Sequence, residues 1–422
     1  MTTLQEARRR IAAKPARETS AAADTPEEGP RSYYLIGGAT LLLLILGVVM
    51  VLSATTITSI RANDGNPFAE FLSQGRFVLI GVPLAIAASR VPAHWYRWLA
   101  WPALILAFAM QMLIFTPLAR GEGGNTNWVL IPGINQTIQP SEFLKIAVAL
   151  WLGVYLAGQG ENLKQARKLV LPVVVVGAAL GLVLGGHDLG TTLVLVAMVV
   201  GAFWIAGVPG WFFAVGGLAG LVAAAALVVA STSRVARVMD FLGVGGADPT
   251  GAGYQSMHGM YGLGTGGIMG VGLGASREKW AYLPAAHNDF IFAILGEELG
   301  LLGTLLVLAL FGFLALGMLR LIRRHPDPFV KISTAAFLCW IIGQALINIG
   351  VVIGLLPVIG VPLPLVSAGG SAMIATLLAL GITLSFARDE PGAKAALGAS
   401  RGSVKRSLAV VGQRIRGGPR RG

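Results

Sequence analysis

The stretch NDFIFAILGEELGLLGTLLVLALFGFLALGMLRL, residues 288–321, decides the fold class of this 422-residue chain. It exceeds the roughly 17–25 apolar residues that cross a bilayer. The whole chain is 55% apolar and only 12% charged, with a mean hydropathy of +0.72. Nine further runs are long enough to span a membrane: 33–54, 75–92, 95–116, 141–158, 169–186, 190–207, 211–230, 331–354 and 369–387. We therefore predict an all-α polytopic membrane protein, a bundle of about ten transmembrane helices with a large extracytoplasmic loop.

The distribution of basic residues predicts the orientation in the membrane. Most Lys and Arg residues lie in the two tails and in the short loops near residues 90–97, 164–168 and 320–331. The positive-inside rule then places both termini in the cytoplasm. The loops 55–74, 117–140, 231–287 and 355–368 face outward, together with Asp289.

Three domains are expected from this pattern. Residues 33–387 form the membrane domain, and residues 1–32 and 388–422 form disordered basic cytoplasmic tails. The tails carry much of the net charge of +12 and would be attracted to anionic inner-leaflet lipids. We expect no nucleic acid partner.

Ionisable residues inside a membrane span are functional candidates because burying a charge there is expensive. Asp289 stands at the start of the 288–321 run, where it either serves a site or caps the helix. Glu142 and Lys145 are three residues apart and share one helical face. They either belong to a site or form a self-neutralising ion pair that holds the bundle together.

Two other features have simpler interpretations. Asp188 follows a glycine break and is expected to cap the next helix through backbone amides. The glycine-dense run 262–267 matches G-x-G-x-x-G, but it follows no strand and lies in an outward loop. It predicts a tight or flexible loop rather than a dinucleotide site.

Four separated blocks stand out in the sequence: Trp128 to Lys145 with Gln139-Pro140-Ser141-Glu142, Asp188-Leu189-Gly190-Thr191, Ala286 to Gly300 with His287-Asn288-Asp289-Phe290, and Asn348 to Ser371 with Pro362-Leu363-Pro364-Leu365-Val366-Ser367. In this order they resemble the SEDS family (shape, elongation, division and sporulation), whose members include RodA and FtsW. The resemblance covers residues 33–387, and the sequence around Asp289 is more similar to the FtsW branch than to the RodA branch.

The resemblance implies a peptidoglycan glycosyltransferase that polymerises lipid II on the outer face of the cytoplasmic membrane, with a role in septal wall synthesis during division. It implies Asp289 as the essential carboxylate and general base, and it gives importance to Glu142 and Lys145. A class B penicillin-binding protein, which cross-links the new strand, is the implied partner. Other division proteins would bind through the tails.

The chemistry of this reaction requires a base near the attacking 4-hydroxyl and positive charge near the departing undecaprenyl pyrophosphate. Because an α-linked donor gives a β-linked product in this family, a single inverting displacement is expected. Lys145 and a divalent cation, Mg or Mn, held by Asp289 and Glu142 are two ways to supply the charge. No organic cofactor is expected. The predicted substrate-binding residues are His287, Asp188, Arg234, Arg237, Arg277 and Ser367.

Two other functional classes stay open at this point. A lipid II flippase would also need polar groups within the bundle, although spread through the depth of several helices. A non-catalytic division scaffold would act through its tails. Replacing Asp289 by Asn separates these alternatives from an enzyme, since only the enzyme needs that carboxylate for polymer formation.

Overall fold

The computed structural model describes residues 30–122, 125–133, 136–230, 232–242, 252–280, 283–284 and 286–393. The predicted tails lie almost entirely outside the described residues. Within the described part of the chain, ten helices are long and apolar enough to cross a membrane. The predicted fold class and the number of spans are therefore confirmed.

The spanning helices follow the predicted runs closely, including the break near residues 185–190. They are α1 (Arg31–Ala62), α2 (Ala69–Ala88), α3 (Ala93–Met112), α4 (Pro140–Gln159), α5 (Ala166–Gly185), α6 (Leu189–Ala206), α7 (Gly210–Val229), α10 (Ile291–Arg324), α11 (Pro328–Val352) and α12 (Gly370–Arg388). The largest boundary differences are in α1, which ends eight residues after the predicted run, and in α2, which begins six residues before it and includes Pro83.

Helices α4, α11 and α12 form the centre of the bundle, because they bury the largest share of their residues. Helix α11 packs against α4, α6 and α10, while α12 packs against α2 and α3 packs against α4. Helix α7 lies at the periphery and has no buried residue. An exposed apolar helix is stable in lipid, since acyl chains are as apolar as its side chains.

The segments that are predicted to face outward contain regular structure that the hydropathy pattern did not predict. Residues 117–140 contain an antiparallel sheet of β1 (Ala119–Glu122), β2 (Asn125–Ile131) and β3 (Gln136–Ile138), in the order β1-β2-β3. The segment before α10 contains α8 (Thr232–Leu242) and α9 (Ala252–Gly266). Helix α8 is amphipathic, with apolar residues at 235, 238, 239 and 242.

Helix α10 is broken at Gly300, which has φ 68° and ψ −164°. The chain that follows α9 pairs with this break: Val271 N–H donates to Glu297 O at 2.9 Å, and Leu301 N–H donates to Gly267 O at 2.9 Å. A Cβ on Gly300 would collide with the backbone of Gly270. The prediction of a loop over the glycine-dense run 262–267 is wrong, because residues 262–266 are the last turn of α9 and pack closely against the backbone of α10. The predicted span at 288–321 is one span, Ile291–Arg324, with a break at Gly300.

Candidate functional site

The segment that carries Asp289 is held by three successive backbone carbonyls. His287 O accepts from Ala368 N–H at 3.0 Å, and Asn288 O accepts from the Ser367 hydroxyl at 2.6 Å. Asp289 O accepts from Asn348 Nδ2 at 2.7 Å. All three donors lie in α11 or in the loop between α11 and α12. The backbone before α10 is thus fixed against this loop, which we name the α11–α12 loop (353–369).

Two amide side chains on one face of α11 connect the α11–α12 loop to the bundle. Asn348, 1% exposed, donates to Val361 O at 2.7 Å as well as to Asp289 O. Gln344, one turn earlier, donates to Pro362 O at 2.9 Å. Because the two amides bind neighbouring carbonyls, they fix the position of the loop along the helix. We call Gln344 and Asn348 the amide pair.

Glu142 and Lys145 form a buried ion pair directly beneath this loop. Lys145 Nζ lies 2.9 Å from Glu142 Oε1, and the two residues are 1% and 4% exposed respectively. The same ammonium donates to Gln344 Oε1 at 3.3 Å and lies 4.3 Å from the centre of the Trp340 ring. Gln344 therefore links the ion pair to the α11–α12 loop. This arrangement matches the ion-pair alternative left open by the sequence.

Asp188 caps α6 in the way the capping interpretation predicts. Its carboxylate accepts from Thr191 N–H at 2.8 Å, from the Thr191 hydroxyl at 2.7 Å and from Gln139 Nε2 at 3.0 Å. It is only 6% exposed. Its oxygens thus bind the helix terminus and the chain entering α4, and a role of Asp188 in substrate binding stays a prediction.

Asp289 differs from the other carboxylates singled out in the sequence. It is partly exposed, and its Oδ2 faces Gly360 of the α11–α12 loop, 3.5 Å from where a Cβ would stand. Phe290, not Asp289, occupies the N-cap position of α10, and no side chain caps that helix. The capping alternative for Asp289 is therefore wrong. The carboxylate stands beside the loop that the amide pair holds.

Glu297 and Glu298 serve a second buried cluster at the break in α10. Glu297 accepts from Arg277 N–H at 2.8 Å and from the Ser276 hydroxyl. Glu298 accepts from the Ser53 hydroxyl at 2.7 Å and pairs with Lys279 at 3.1 Å. Both glutamates are 1% exposed. They anchor the 276–279 turn to α10 and α1.

The predicted cationic residues are spread over different segments. Arg234 donates to Leu227 O at 3.0 Å, near the end of α7, and Arg237 donates to Val358 O at 3.5 Å in the α11–α12 loop. The Arg277 side chain is exposed. Of these three arginines, Arg237 is the one that the described contacts bring to the loop beside Asp289.

Two further predicted residues contribute through backbone geometry. Ser367, 4% exposed, donates to Asn288 O and accepts from Leu363 N–H at 2.7 Å. Its hydroxyl thus makes two hydrogen bonds within the protein, and its role in substrate binding stays a prediction. His287 is partly exposed and lies in the same segment as Asp289.

The described residues contain no group of three or more His, Cys, Asp and Glu side chains placed to hold a metal ion. Glu142 is also neutralised by Lys145 at 2.9 Å. The other carboxylate oxygen of Glu142, Oε2, is buried without a hydrogen-bond partner among the described residues. A divalent cation shared by Glu142 and Asp289 therefore stays a prediction.

The amide pair is the part of the site that the sequence did not identify as functional. By spacing alone, such a pair of amides is typical of polar contacts between helices. Gln344 does contact another helix through Lys145, whereas Asn348 binds the loop and the segment before α10. Their spacing of four residues inside an apolar run was the available signal. What it could not show is that their partners are two loop carbonyls and the Asp289 backbone.

Comparisons with known proteins agree on one family. The family model for FtsW, RodA and SpoVE, described as "Cell cycle protein", matches residues 34–391. The probable peptidoglycan glycosyltransferase FtsW of Mycobacterium tuberculosis is 39% identical over 88% of this chain and 70% of its own length. Its counterpart from Halorhodospira halophila is 40% identical over 82% of this chain and 89% of its own length.

Solved structures show the same architecture. The structure reported as "Structural coordination of polymerization and crosslinking by a peptidoglycan synthase complex" is 26% identical, with a TM-score of 0.64, over 82% of this chain and 97% of the other. RodA of Thermus thermophilus is 25% identical, with a TM-score of 0.63, over 85% of this chain and 97% of RodA.

Proposed function

The chain belongs to the FtsW, RodA and SpoVE family, and from that premise we propose that it is a peptidoglycan glycosyltransferase that polymerises lipid II. The observation that carries the proposal is that the Asp289 side chain is partly exposed while its backbone is held in place. Glu142, Asp188, Glu297 and Glu298 are each 6% exposed or less, whereas Asp289 is partly exposed on a backbone fixed at three carbonyls. A general base requires this combination of access and fixed position.

In the proposed reaction, the 4-hydroxyl of the acceptor sugar attacks the anomeric carbon of the donor. Asp289 removes the hydroxyl proton while the bond to undecaprenyl pyrophosphate breaks, so the anomeric configuration inverts in one step. Such positioned base catalysis is typically worth about 10²–10⁴-fold in rate. No covalent bond to the protein forms in this scheme.

Glu142 and Lys145 act in this proposal as positioning residues. Their ion pair is linked through Gln344 to Pro362 O in the α11–α12 loop beside Asp289. They hold the loop from beneath, and Lys145 adds positive charge to the inner wall of the site.

A divalent cation enters the proposal only as an ion held by Asp289 and substrate phosphate oxygens, with Glu142 left to Lys145. Such an ion would neutralise charge on the pyrophosphate leaving group. Polymerisation measured with and without a chelator, and after adding back Mg²⁺ or Mn²⁺, tests this point.

The proposed setting is the cytoplasmic membrane of a bacterium, with both termini inside and Asp289 on the outer side. The proposed partner is a class B penicillin-binding protein, which is supported by the likeness to a chain from a peptidoglycan synthase complex. A role in septal synthesis is supported by the FtsW relatives.

The test is lipid II polymerisation by the purified full-length chain with its cognate transpeptidase, comparing Asp289→Asn with the unsubstituted chain. We expect Asp289→Asn to abolish polymer while thermal unfolding and partner binding stay unchanged. Asp64→Asn is the matched control, because Asp64 is an exposed outer-loop acid at φ 49°, a conformation that Asn also adopts.

Polymer formation by Asp289→Asn at the parent rate would refute the enzymatic proposal. A lipid II flipping assay on the same variant would then distinguish a transporter from a scaffold. Flipping of lipid II by the parent chain would indicate a flippase, and no flipping by the parent chain would leave the scaffold.

A further inference from the structure

An apolar groove opens between α1 and α2 on the side of the bundle that contains Asp289. Its volume is about 620 Å³, and its walls include Val48 of α1 and Phe71, Leu72 and Val78 of α2. A smaller cavity of about 30 Å³ shares Val48, Phe71 and Val78 with it. We call the two together the α1–α2 groove.

The α1–α2 groove leads to the backbone that positions Asp289. The smaller cavity is bounded by Ser367, Ala368 and Gly369. Ser367 and Ala368 are the residues whose hydroxyl and N–H bind Asn288 O and His287 O. An apolar ligand that fills this groove would therefore lie next to the loop segment that also binds the backbone before Asp289.

Arg76 is the charged residue that lines the groove. It lies seven residues into α2, roughly 10 Å from the outer end at about 1.5 Å per residue. Its side chain is exposed, and Nη2 donates to the Ser73 hydroxyl at 3.1 Å, one turn toward the outer surface. Among the described residues, no carboxylate forms an ion pair with it.

An anion at the level of the lipid headgroups would stabilise the Arg76 guanidinium at this position. A guanidinium within a spanning helix is costly unless it reaches the interface or an anionic partner. Glu70, the acid nearest in sequence on α2, accepts a hydrogen bond from the Thr58 hydroxyl at 2.6 Å. The guanidinium fork matches phosphate oxygens in a bidentate arrangement better than a point charge does.

We propose that the α1–α2 groove binds the polyprenyl chain of the donor lipid and that Arg76 binds its pyrophosphate. This inference rests on the proposed function, since it names the place where the lipid substrate enters and its lipid product leaves. The apolar walls select a hydrocarbon chain, and the single cation selects a phosphorylated end. Neither Arg76 nor the groove was identified from the sequence.

The test measures binding of undecaprenyl pyrophosphate to the full-length chain in phosphatidylcholine nanodiscs. Losing charge-assisted hydrogen bonds to phosphate should make Arg76→Gln bind about 10-fold more weakly. Arg76→Lys should recover only part of the loss, because Lys lacks the fork. Arg61→Gln, an exposed arginine at the outer end of α1, is the control and should bind like the parent chain.

A second variant tests the apolar walls of the groove and leaves the charge of Arg76 unchanged. Gly75 lines both cavities, and a Cβ there meets nothing within 4 Å. Gly75→Leu therefore fills the groove without a clash and should weaken binding by a similar factor. Gly38→Leu is the control, because Gly38 lies on α1, has the same free space and lines neither cavity.

Unchanged binding by Arg76→Gln and Gly75→Leu would overturn this proposal. So would competition by phosphatidylglycerol as strong as that by unlabelled undecaprenyl pyrophosphate, since the groove would then be a general phospholipid site. The binding assay needs no turnover. A parent chain that binds the lipid but makes no polymer defeats the proposed function, whereas an active chain with unaltered Arg76→Gln defeats only this inference.

Discussion

Removing the amide of Asn348 is the most direct way to test whether the backbone of Asp289 must be held in place. Asn348 Nδ2 lies 2.7 Å from both Asp289 O and Val361 O, and the residue is 1% exposed. Asn348→Ala leaves two buried carbonyls without their donor. It leaves the Asp289 carboxylate itself unchanged.

The expected free-energy cost of Asn348→Ala follows from those two hydrogen bonds. Each buried acceptor left without a partner costs about 1–3 kcal/mol, so two cost roughly 2–6 kcal/mol if the segment stays where it is. The segment can reduce this cost by moving away from α11. A displacement of about 1 Å at a reacting group is enough to lower the rate roughly 100-fold.

The assay is steady-state polymerisation of lipid II, analysed as kcat and KM separately and across pH. We expect kcat to fall roughly 100-fold with a smaller change in KM, because the substrate contacts remain. Asn348→Asp should also be impaired, since even its protonated form offers one donor hydrogen to two carbonyls. A shift in the pH profile would show that the effect passes through Asp289.

Thr334→Val is the matched control for this experiment. Thr334 lies on the same helix, is fully buried and has a hydroxyl without a hydrogen-bond partner among the described residues. Its near-isosteric replacement should leave polymerisation unchanged. If folded Asn348→Ala polymerised lipid II within about threefold of the parent chain, far short of the expected loss, the positioning argument would be refuted.

Three further predictions concern stability, each measured by thermal unfolding of the purified chain in detergent. Lys145→Met leaves Glu142 as an uncompensated buried charge and should lower the free energy of unfolding by about 3–5 kcal/mol. Adding Glu142→Gln should restore much of that loss. Equal midpoints of thermal unfolding for the single and the double variant would contradict this. Gly300→Ala places a Cβ at φ 68° against the backbone of Ile268 and Gly270 and should destabilise the chain by about 1–3 kcal/mol. Gly312→Ala is the control on the same helix, because a Cβ there meets nothing within 4 Å. It should be neutral or slightly stabilising. Burial lowers the pKa of His325, in the loop after α10, below its ordinary value of about 6.5. As the pH falls below about 6.5, the unfolded chain takes up a proton before the folded chain does, so stability should decrease until the lower folded pKa is reached. His325→Asn should flatten that decrease, and an unaltered pH dependence of the variant would argue against this account.

Much of the fold could be predicted because local amino-acid composition is enough to identify a membrane span. A run of about 20 apolar residues reports a spanning helix whatever its neighbours are. The break between α5 and α6 was also local, since glycines mark it, and so was the cap that Asp188 supplies to α6. The spacing of Glu142 and Lys145 was enough to expect a shared helical face and an ion pair.

The remaining features depend on contacts between residues far apart in the chain, and hydropathy carries no information about those. The break at Gly300 is stable because residues 267–272 supply replacement hydrogen bonds. The role of Ser367 depends on Asn288, 79 residues away, and that of Asn348 on Asp289, 59 residues away. Such pairings exist only once the helices have packed.

The sequence by itself therefore determined that this chain is a ten-span membrane protein and which few ionisable residues lie near the ends of its helices, because both follow from local composition and helical spacing. Only the tertiary structure decided that Glu142, Lys145 and Asp188 are buried in an ion pair and a helix cap and that Asp289 is partly exposed. The physical reason is that a buried charge or amide takes its role from the partner that satisfies it. For Glu142 that partner is Lys145, and for Asn348 it is the backbone that presents Asp289.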